Sequence, residues 1–424
     1  MEVKPGYKQT EAGVVPDDWR VVEAGTIGRF QGGSGFPIVY QGASSGDYPF
    51  FKVSDMNNEG NETFMLRANN YISESTRRRL GTKVFPPQSI VFAKIGAAVF
   101  LERKKLLAAP SCVDNNMAGF VLSDPGVDYR FVYYFFLSLK FGSLVSATAL
   151  PSLSGAVLNR IKIPLPPTRA EQEAIAGTLS DADGLIESLE QILAKKRCLK
   201  QGVMQELLTS KTRLPGYSGD WKATALGQFG KCYRGVSYNP NVDLSPGDGE
   251  STVRLLRSNN VQDKEIVFND MQFVDRRRVS AEQVLRDDDV LICMANGSRE
   301  LVGKSARFES GDGYAYTFGA FMGCFRSSSE TADPRFVFYL FQTEKYRSQI
   351  AVLLAGSSIN NLTPGNVEAL VVDVPTEKAE QAAIVAILSD MDAEIAMLEA
   401  KLSKTRQLKQ GMMQELLTGR SRLV

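Results

Sequence analysis

The chain has 424 residues, of which 43% are hydrophobic and 23% charged, and its formal net charge is +1. This composition is typical of a globular protein of two or three domains and argues against extensive disorder. The chain contains no histidine, which excludes Ser-His-Asp, Cys-His and histidine–metal chemistry. It also lacks an apolar run of about 18 residues and an N-terminal signal peptide, so we expect a cytoplasmic protein without membrane contact.

The five cysteines are widely spaced and never form a Cys-x-x-Cys pattern. Neither a disulfide framework nor a zinc site is therefore indicated, and we expect buried free thiols. No nuclease-like cluster of carboxylates with a nearby lysine and no Walker A sequence is present. The sequence favours a protein that binds rather than one that catalyses.

The first globular region, between Trp19 and Pro166, is predicted to contain mainly short strands. YPFFKVSDM (48–56) reads as a strand that enters a polar loop, and SIVFAKIG (89–96) as an apolar strand ending in a glycine turn. DYRFVYYFFLSLKFGSLV (128–145) reads as an aromatic amphipathic helix. FQGGSGFP (30–37) fits neither a phosphate-binding loop nor the FxGxG loop of methyltransferases, so we expect a tight turn there.

A long helix is predicted to follow this region. Pro166-Pro167 ends the preceding extended segment, and Thr168 with Glu171 forms a candidate capping box. The apolar residues then recur in alternating steps of three and four, which is a heptad seam. The seam is predicted to skip from Leu193 to Leu199, with a polar layer or a local change of helix winding at Lys196.

The second globular region, between Trp221 and Pro375, repeats this pattern in weaker form. TVRLLRSNN (252–260) and DVLICMANG (289–297) read as strands, and DPRFVFYLFQTEKYRSQI (333–350) as an aromatic helix. Each globular region is therefore predicted to be an α+β domain, with its aromatic residues in the core.

The helical segments are the clearest sign of an internal duplication. Residues 171–214 and 380–423 align at a constant offset of 209 positions, with 26 identities in 44 positions. The second helix repeats the heptad seam, with a skip to Leu408 across Thr405. The predicted helix-pairing residues are Ile175, Leu179, Ile186, Leu189, Leu193, Ile384, Leu388, Ile395, Leu398 and Leu402.

Charge favours an antiparallel pairing of the two helices. In each copy the first part is acidic and the later part is basic, so an antiparallel arrangement brings unlike charges together. The alternative is that each apolar stripe packs only on its own domain. An antiparallel pair with a pseudo-twofold axis is the geometry by which dimeric DNA-binding proteins address two half-sites.

Basic and amide side chains in the two globular regions are candidates for DNA contact. Arginine grips phosphates or forks onto guanine, and asparagine can pair with adenine edges. For any one of them, a solvated surface charge is the competing interpretation. The candidates are Arg77, Arg78, Arg79, Lys94, Asn57, Asn58, Arg257, Asn259, Asn260, Arg276, Arg277 and Arg278.

Three groups of residues resemble the specificity subunits of type I restriction-modification enzymes. They are GYKQTEAGVVPDDW (6–19), PLPPTRAEQEAIAGTL (164–179) with its counterpart DVPTEKAEQAAIVAIL (373–388), and the two LKQG-x-MQELLT stretches. The resemblance implies target-recognition domains at 1–166 and 215–375 that alternate with helical repeats at 167–214 and 376–424. It also implies a bipartite, asymmetric DNA target, with one half-site for each domain.

The same resemblance implies the partners. Two adenine-N6 methyltransferase subunits would dock on the helical repeats, and restriction/translocase subunits would complete the complex. S-adenosylmethionine, ATP and Mg²⁺ would serve those partners, and no cofactor is expected in this chain. The predicted contacts of the repeated stretches with the methyltransferase are Gln201, Gln205, Glu206, Gln410, Gln414 and Glu415, for which coiled-coil packing is the competing explanation.

Three other interpretations remain open from the sequence. The partner could combine methyltransferase and nuclease in one polypeptide. The chain could itself be a methyltransferase or nuclease, or it could be a coiled-coil scaffold that binds only protein.

Overall fold

The structure is a computed structural model that describes residues 4–145, 151–356 and 360–423. The chain divides into two compact units, which we call unit 1 (Met1–Glu190 and Ala400–Val424) and unit 2 (Gln191–Glu399). Two long helices, the central helix Arg169–Leu207 and the C-terminal helix Lys378–Leu416, contain 39 residues each. Each unit thus holds one globular domain and a segment of both long helices. None of the described helices is long and apolar enough to cross a membrane.

The described residues of the unit 1 domain form twelve strands. They form a five-stranded sheet of order β4-β11-β8-β9-β6, a three-stranded sheet of order β10-β5-β7, and the pairs β1-β2 and β12-β3. The strands are β1 Tyr7–Thr10, β2 Gly13–Pro16, β3 Arg20–Glu23, β4 Gly28–Gly32, β5 Tyr48–Phe51, β6 Phe64–Met65, β7 Tyr71–Ile72, β8 Ile90–Ala93, β9 Lys104–Leu107, β10 Cys112–Val113, β11 Met117–Leu122 and β12 Lys162–Leu165.

Short α-helices accompany these strands, at Ala24–Ile27, Glu74–Leu80, Tyr129–Ser138 and Gly155–Asn159. The aromatic helix Tyr129–Ser138 begins at Asp128, whose carboxylate accepts from the backbone N–H groups of Arg130 and Phe131. This helix ends sooner than the sequence predicted. Beyond Leu139, residues Phe141–Leu144 form a 3-10 turn whose first N–H groups donate to Glu102.

Unit 2 has the same strand order in its corresponding sheets. Its four-stranded sheets run β14-β23-β20-β21 and β15-β19-β16-β22, beside the pairs β13-β24 and β17-β18. The strands are β13 Trp221–Ala225, β14 Gly230–Arg234, β15 Leu244–Ser245, β16 Thr252–Leu256, β17 Val261–Gln262, β18 Glu265–Ile266, β19 Gln272–Asp275, β20 Val290–Cys293, β21 Ser305–Arg307, β22 Tyr316–Phe318, β23 Met322–Ser327 and β24 Val371–Pro375.

The helices of the unit 2 domain are Pro334–Leu340, Glu344–Ala355 and Pro364–Glu368. The single aromatic helix predicted for residues 333–350 is thus two helices. A new N-cap explains the break, because the Thr343 side chain accepts from the backbone N–H of Tyr346 and starts the second helix.

The core of each unit joins the globular domain to the long helices. In unit 1, Phe131 and Phe136 of the aromatic helix are fully buried together with Ile175 and Leu179 of the central helix. In unit 2, Phe336 is buried in one cluster with Ile384 and Leu388 of the C-terminal helix. The first turns of each seam therefore pack on the domain of their own unit. Ile186, Ile395 and Leu398, farther along, are only partly buried.

The segments of the two long helices run in opposite directions within each unit. In unit 2, Lys196 donates to Glu394 at 2.6 Å and Arg213, just past the central helix, donates to Glu380 at 2.7 Å. In unit 1, Arg422 donates to Glu171 at 2.5 Å, and Arg406 pairs with Glu190. Acidic and basic stretches therefore meet within each unit, as the charge pattern requires for opposed helices.

The seam follows a different path from the predicted one after Leu193 and Leu402. Leu199 and Leu408 are 53% and 56% exposed and point away from the seam. The regular spacing instead continues through Lys196 and Lys200, whose side chains bond to acidic residues of the other helix segment in unit 2. The predicted skip was wrong, because lysines paired with carboxylates can occupy heptad positions that the sequence pattern reserves for apolar residues.

Thr168 caps the central helix as predicted. Its hydroxyl accepts from the backbone N–H of Glu171 at 3.2 Å. The Glu171 carboxylate does not complete the capping box and instead accepts two hydrogen bonds from Arg422. A bidentate bond to arginine is stronger than a bond to one backbone N–H, which accounts for this choice.

Candidate nucleic-acid interface

The first arginine triplet lies on the short helix Glu74–Leu80 rather than in a loop. Ser73 caps this helix, and Gly81 ends it at a φ of 61°, in the left-handed region that favours glycine. Arg77 and Arg78 both bond to Glu74, at 2.6 and 2.7 Å. These hydrogen bonds lower the pKa of Glu74 to about 2. Two of the three arginines are thus engaged within the helix.

Arg79 differs from its neighbours. Its side chain is exposed, and no ion-pair partner for it is found in the described part of unit 1. Of the triplet, it is the guanidinium with the greatest freedom to contact a phosphate.

The second triplet forms the 3-10 helix Arg276–Arg278 of unit 2. Asp275 caps it, accepting from the Arg277 backbone and side chain, and this lowers the pKa of Asp275 to about 2. Arg278 bonds to Asp243 at 2.9 Å. Arg276 is exposed, and the described residues offer it no ion-pair partner. Each triplet therefore presents one unpaired arginine, Arg79 or Arg276.

The amide candidates of unit 1 lie around the 3-10 turn Val53–Asn57. The Asn58 amide donates to Asn69 at 3.1 Å, and the Asn57 side chain accepts from Arg103. The loop is organised by buried Asp55, which accepts from the backbone N–H of Lys52 at 2.6 Å.

Asn260 performs in unit 2 the role that Asp55 performs in unit 1. It is fully buried, accepts from the backbone N–H of Arg257 at 2.9 Å and donates to two loop carbonyls. A side chain with no exposed surface cannot reach a base edge in this conformation, so we assign Asn260 to loop stabilisation. Asn259 and Arg257 both donate to Asp270 at 3.0 Å at the exposed edge of the same loop.

Lys94 follows strand β8 at one end of the five-stranded sheet of unit 1. Its backbone N–H donates to the carbonyl of Asn116 at 2.8 Å, and its ammonium lies near Gly32. The Lys94 side chain is partly exposed. Unit 2 carries buried Met294 at the corresponding place, where the backbone N–H donates to the carbonyl of Phe321. Phe321 is 70% exposed, so the two domains present different chemistry at the same end of the same sheet.

The glycine-rich stretch 30–37 does not form the predicted tight turn. Its first residues belong to strand β4, Ser34 bridges to Asp114, and the stretch makes a close backbone approach. A Cβ on Gly33 would lie 1.9 Å from the carbonyl oxygen of Asp114, and a Cβ on Gly235 of unit 2 would lie 2.0 Å from that of Gly319. Both glycines precede a parallel bridge to the neighbouring chain segment. Only glycine fits where two backbones pass this closely.

The predicted partner-binding side chains lie mostly on the surface. Gln201, Gln205, Glu206, Gln410 and Gln414 are exposed, and Glu415 is half-buried. Glu206 accepts from Thr212 at 2.6 Å, and Glu415 lies 3.6 Å from Arg420. The exposed Leu199 and Leu408 begin the same repeated stretches, at positions that the sequence analysis placed in the seam.

A polar cluster that was not predicted from the sequence ties each aromatic helix to the long helices of its own unit. It consists of Tyr134, Asp183 and Lys409 in unit 1 and of Tyr339, Asp392 and Lys200 in unit 2. The available signal was the recurrence of Asp183 and Lys200 at the offset of 209, as Asp392 and Lys409.

The described parts of the chain contain no group of three or more acidic or thiol side chains placed to hold a metal ion. Four of the five cysteines are buried and Cys198 is exposed, all as free thiols. Burial raises the pKa of Cys112 to about 11 and that of Cys232 to about 12, so these two thiols stay protonated near neutral pH.

Comparison with known proteins agrees with this architecture. The family model described as the type I restriction modification DNA specificity domain matches residues 16–195 and 291–406. The type I restriction enzyme MjaVIII specificity subunit of Methanocaldococcus jannaschii is 23% identical over 437 residues, covering 98% of this chain and 96% of that protein. The StySPI specificity subunit of Salmonella potsdam is 28% identical over 188 residues, and that match spans 44% of this chain and 40% of the relative.

A solved structure shares the fold. The S subunit of a type I restriction-modification system from M. genitalium superposes with a TM-score of 0.60 at 14% identity, and the match covers 98% of each chain. Because the family model covers more than half of the sequence, the chain belongs to the type I restriction-modification DNA specificity family, whose members are non-catalytic recognition subunits.

Proposed function

We propose that this chain gives a type I restriction-modification complex its DNA sequence specificity by reading a bipartite, asymmetric target. Each recognition domain, at 1–166 and 215–375, would read one half-site. The main support for this proposal is that the two units share a fold but differ in their surface side chains. Sheet order and helix contacts repeat, whereas the solvent-accessible side chains at the same end of the corresponding sheets differ, with Lys94 in unit 1 and Phe321 in unit 2. Two domains of one fold with different surface chemistry are suited to two different DNA sequences.

DNA contact would combine a few unpaired cations with loop amides. Within the described residues, the candidates without an ion-pair partner are Arg79, Arg276 and Lys94, so they are suited to phosphates. Arg78, Arg277 and Arg278 keep exposed side chains beside their carboxylates and could exchange partners, whereas half-buried Arg77 supports the helix. Asn57, Asn58, Arg257 and Asn259 lie at loop edges from which base edges could be read.

The helical repeats, 167–214 and 376–424, would pair as an antiparallel coiled coil and act as the spacer that sets the gap between the half-sites. The opposed ion pairs within each unit support this pairing. Two adenine-N6 methyltransferase subunits would dock on the repeated LKQG-x-MQELLT stretches. The exposure of Gln201, Gln205, Gln410 and Gln414 at equivalent places supports two equivalent docking sites. Restriction/translocase subunits would join the same cytoplasmic complex.

A genome-wide map of methylated bases, made in the host with and without this gene, tests the proposal. Loss of one two-part, adenine-methylated motif on deletion is the expected outcome and gives both half-sites. If all motifs persist, the reconstituted complex is assayed for binding to random-sequence DNA. Binding without sequence preference would then support a scaffold role and overturn the specificity function.

A further inference from the structure

A cluster of tyrosine, aspartate and lysine joins three elements in unit 1. The hydroxyl of Tyr134, on the aromatic helix Tyr129–Ser138, donates to Asp183 Oδ2 at 2.9 Å. Lys409, on the C-terminal helix, donates to Asp183 Oδ1. The Lys409 ammonium also lies 5.4 Å from the centroid of the Tyr134 ring. One carboxylate on the central helix thus binds both the globular domain and the other long helix.

Unit 2 contains the same cluster with the two long helices exchanged. Tyr339 donates to Asp392 Oδ2 at 2.8 Å, and Lys200 donates to Asp392 Oδ1. The Lys200 ammonium lies 5.5 Å from the centroid of the Tyr339 ring. Here the aspartate belongs to the C-terminal helix and the lysine to the central helix. The duplication has therefore preserved a three-residue arrangement in domains that otherwise differ.

Both tyrosine side chains of these clusters are buried. Tyr134 and Tyr339 are 3% and 4% exposed, so each hydroxyl needs a hydrogen-bond partner inside the protein. The aspartate is the charged partner in both units, and the Ser389 hydroxyl also lies 3.3 Å from that of Tyr339. Burial, aided by the neighbouring carboxylate, raises the pKa of both tyrosines far above their usual range. Both hydroxyls therefore stay protonated near neutral pH and can donate a hydrogen bond. A donor aimed at a carboxylate is stronger and more directional than one aimed at a neutral acceptor.

The lysines of the two clusters lie at heptad positions where an apolar residue would stabilise the helix pair more. Lys200 and Lys409 continue the regular heptad spacing of their helices. A polar residue at such a position lowers stability but restricts the helices to one register. The same carboxylate also accepts a hydrogen bond from the tyrosine of the domain. The cluster therefore also restricts the orientation of the domain on the helices.

We infer that Tyr134, Asp183 and Lys409, with Tyr339, Asp392 and Lys200, are positioning residues that set the orientation of each recognition domain on its helix segments and thereby the gap tolerated between half-sites. This inference rests on the proposed function. A domain of about 150 residues has a radius of gyration of roughly 15 Å, so its far edge lies roughly 30 Å from the cluster. A rotation of about 7° moves that edge by about 3.4 Å, which is the rise of one base pair.

The test measures how strictly the full complex selects one gap. Duplexes carry both half-sites of the mapped target, with the gap varied in single base-pair steps, and the affinity of the complex for each duplex is measured. The variants are Tyr134→Phe, which removes one oxygen, and Asp183→Asn, which removes the charge. Arg406→Gln is the matched control, because it breaks an exposed ion pair with Glu190 in unit 1 that does not involve the domain.

For Tyr134→Phe and Asp183→Asn, we expect the preference for the native gap over gaps one base pair longer or shorter to fall by about tenfold. The preferred bases in both half-sites stay unchanged, and Arg406→Gln keeps the native gap preference. Thermal unfolding verifies that each variant is folded. Should Asp183→Asn not fold, Tyr134→Phe carries the test.

Two outcomes would overturn the inference. One is an unchanged gap preference in a folded Tyr134→Phe variant, and the other is an altered base preference with the gap preference intact. In both cases the wild-type complex still reads two half-sites, so the proposed function survives. A wild-type complex that shows no bipartite preference at all would instead remove the proposed function.

Discussion

Arg213 holds Glu380 in a two-bonded fork in unit 2, with Nε to Oε1 at 2.7 Å and the terminal nitrogen to Oε2 at 2.8 Å. Glu380 is 1% exposed, and Arg213 comes from the segment that follows the central helix. Arg422 and Glu171 form the corresponding pair in unit 1. Each fork ties the end of one long helix to the start of the other.

Replacing Arg213 with Met is expected to destabilise unit 2 by about 3 kcal/mol, because it leaves a buried carboxylate without its partner. Arg213→Lys should recover only part of the loss, since an ammonium cannot form the fork. Chemical denaturation of the full chain measures both. Arg277→Met, which breaks a pair with a highly exposed arginine, is the control and should leave stability unchanged. Equal losses of stability in Arg213→Met and Arg277→Met would contradict the conclusion that the buried Arg213–Glu380 pair stabilises unit 2.

Gly33→Ala is expected to destabilise unit 1 by about 2–3 kcal/mol, because the new methyl group would overlap the carbonyl of Asp114. Gly35→Ala is the control two residues away, since a Cβ there meets nothing within 4 Å. Thermal unfolding of the two variants gives the comparison. If Gly33→Ala were as stable as the wild type, the close backbone approach would not require glycine at this position.

Arg79→Gln is expected to weaken DNA binding evenly across target sequences and to reduce the slope of log affinity against log salt by about one. The physical reason is the loss of one phosphate contact and its counterion. Arg276→Gln should act alike in unit 2. Filter binding or fluorescence anisotropy of the assembled complex at several salt concentrations measures the slope. An unchanged slope in both variants would exclude these arginines from the interface.

Acid should selectively weaken the helix Glu74–Leu80. The pKa of Glu74 is lowered from 4.5 to about 2 by hydrogen bonds from Arg77 and Arg78. A carboxylate whose pKa is lowered by folding stabilises the folded state fully above the unfolded pKa, and this contribution is lost as the pH falls from 4.5 towards 2. The stability difference between the wild type and Glu74→Gln should therefore shrink across that window. If the stability difference between the wild type and Glu74→Gln did not change with pH, the pairing of Glu74 with Arg77 and Arg78 would be contradicted.

Much of the architecture was predictable because its signals are local or repeated in the chain. The apolar strands at 90–93 and 290–293 and the beginning of the central helix at Thr168 agree with the sequence patterns. The break of the second aromatic helix at Thr343 was not foreseen. The amphipathic pattern is continuous across this point and does not indicate a break. The hydroxyl of Thr343 nevertheless caps a new helix there.

The candidate site was predictable in residue type but not in role. Three adjacent arginines look alike in a sequence, yet Arg77 is held by Glu74 while Arg79 is unpaired in the described structure. Asn259 and Asn260 are neighbours, and only the second is buried as the organiser of its loop. The helical phase and the loop path decide these differences, and neither is encoded in a single residue.

By itself, the sequence determined the duplication, the two long helices, the α+β character of both domains and the likeness to specificity subunits. These follow from periodicity and from comparison of the chain with itself, which need no contact information. The tertiary structure alone decided which charges are paired and where the helix seam runs. Asp183 and Lys409 meet across 226 positions of chain, and Arg422 and Glu171 across 251. Such partners are chosen by packing in three dimensions, because a charged group bonds to whichever group the folded backbone brings within reach.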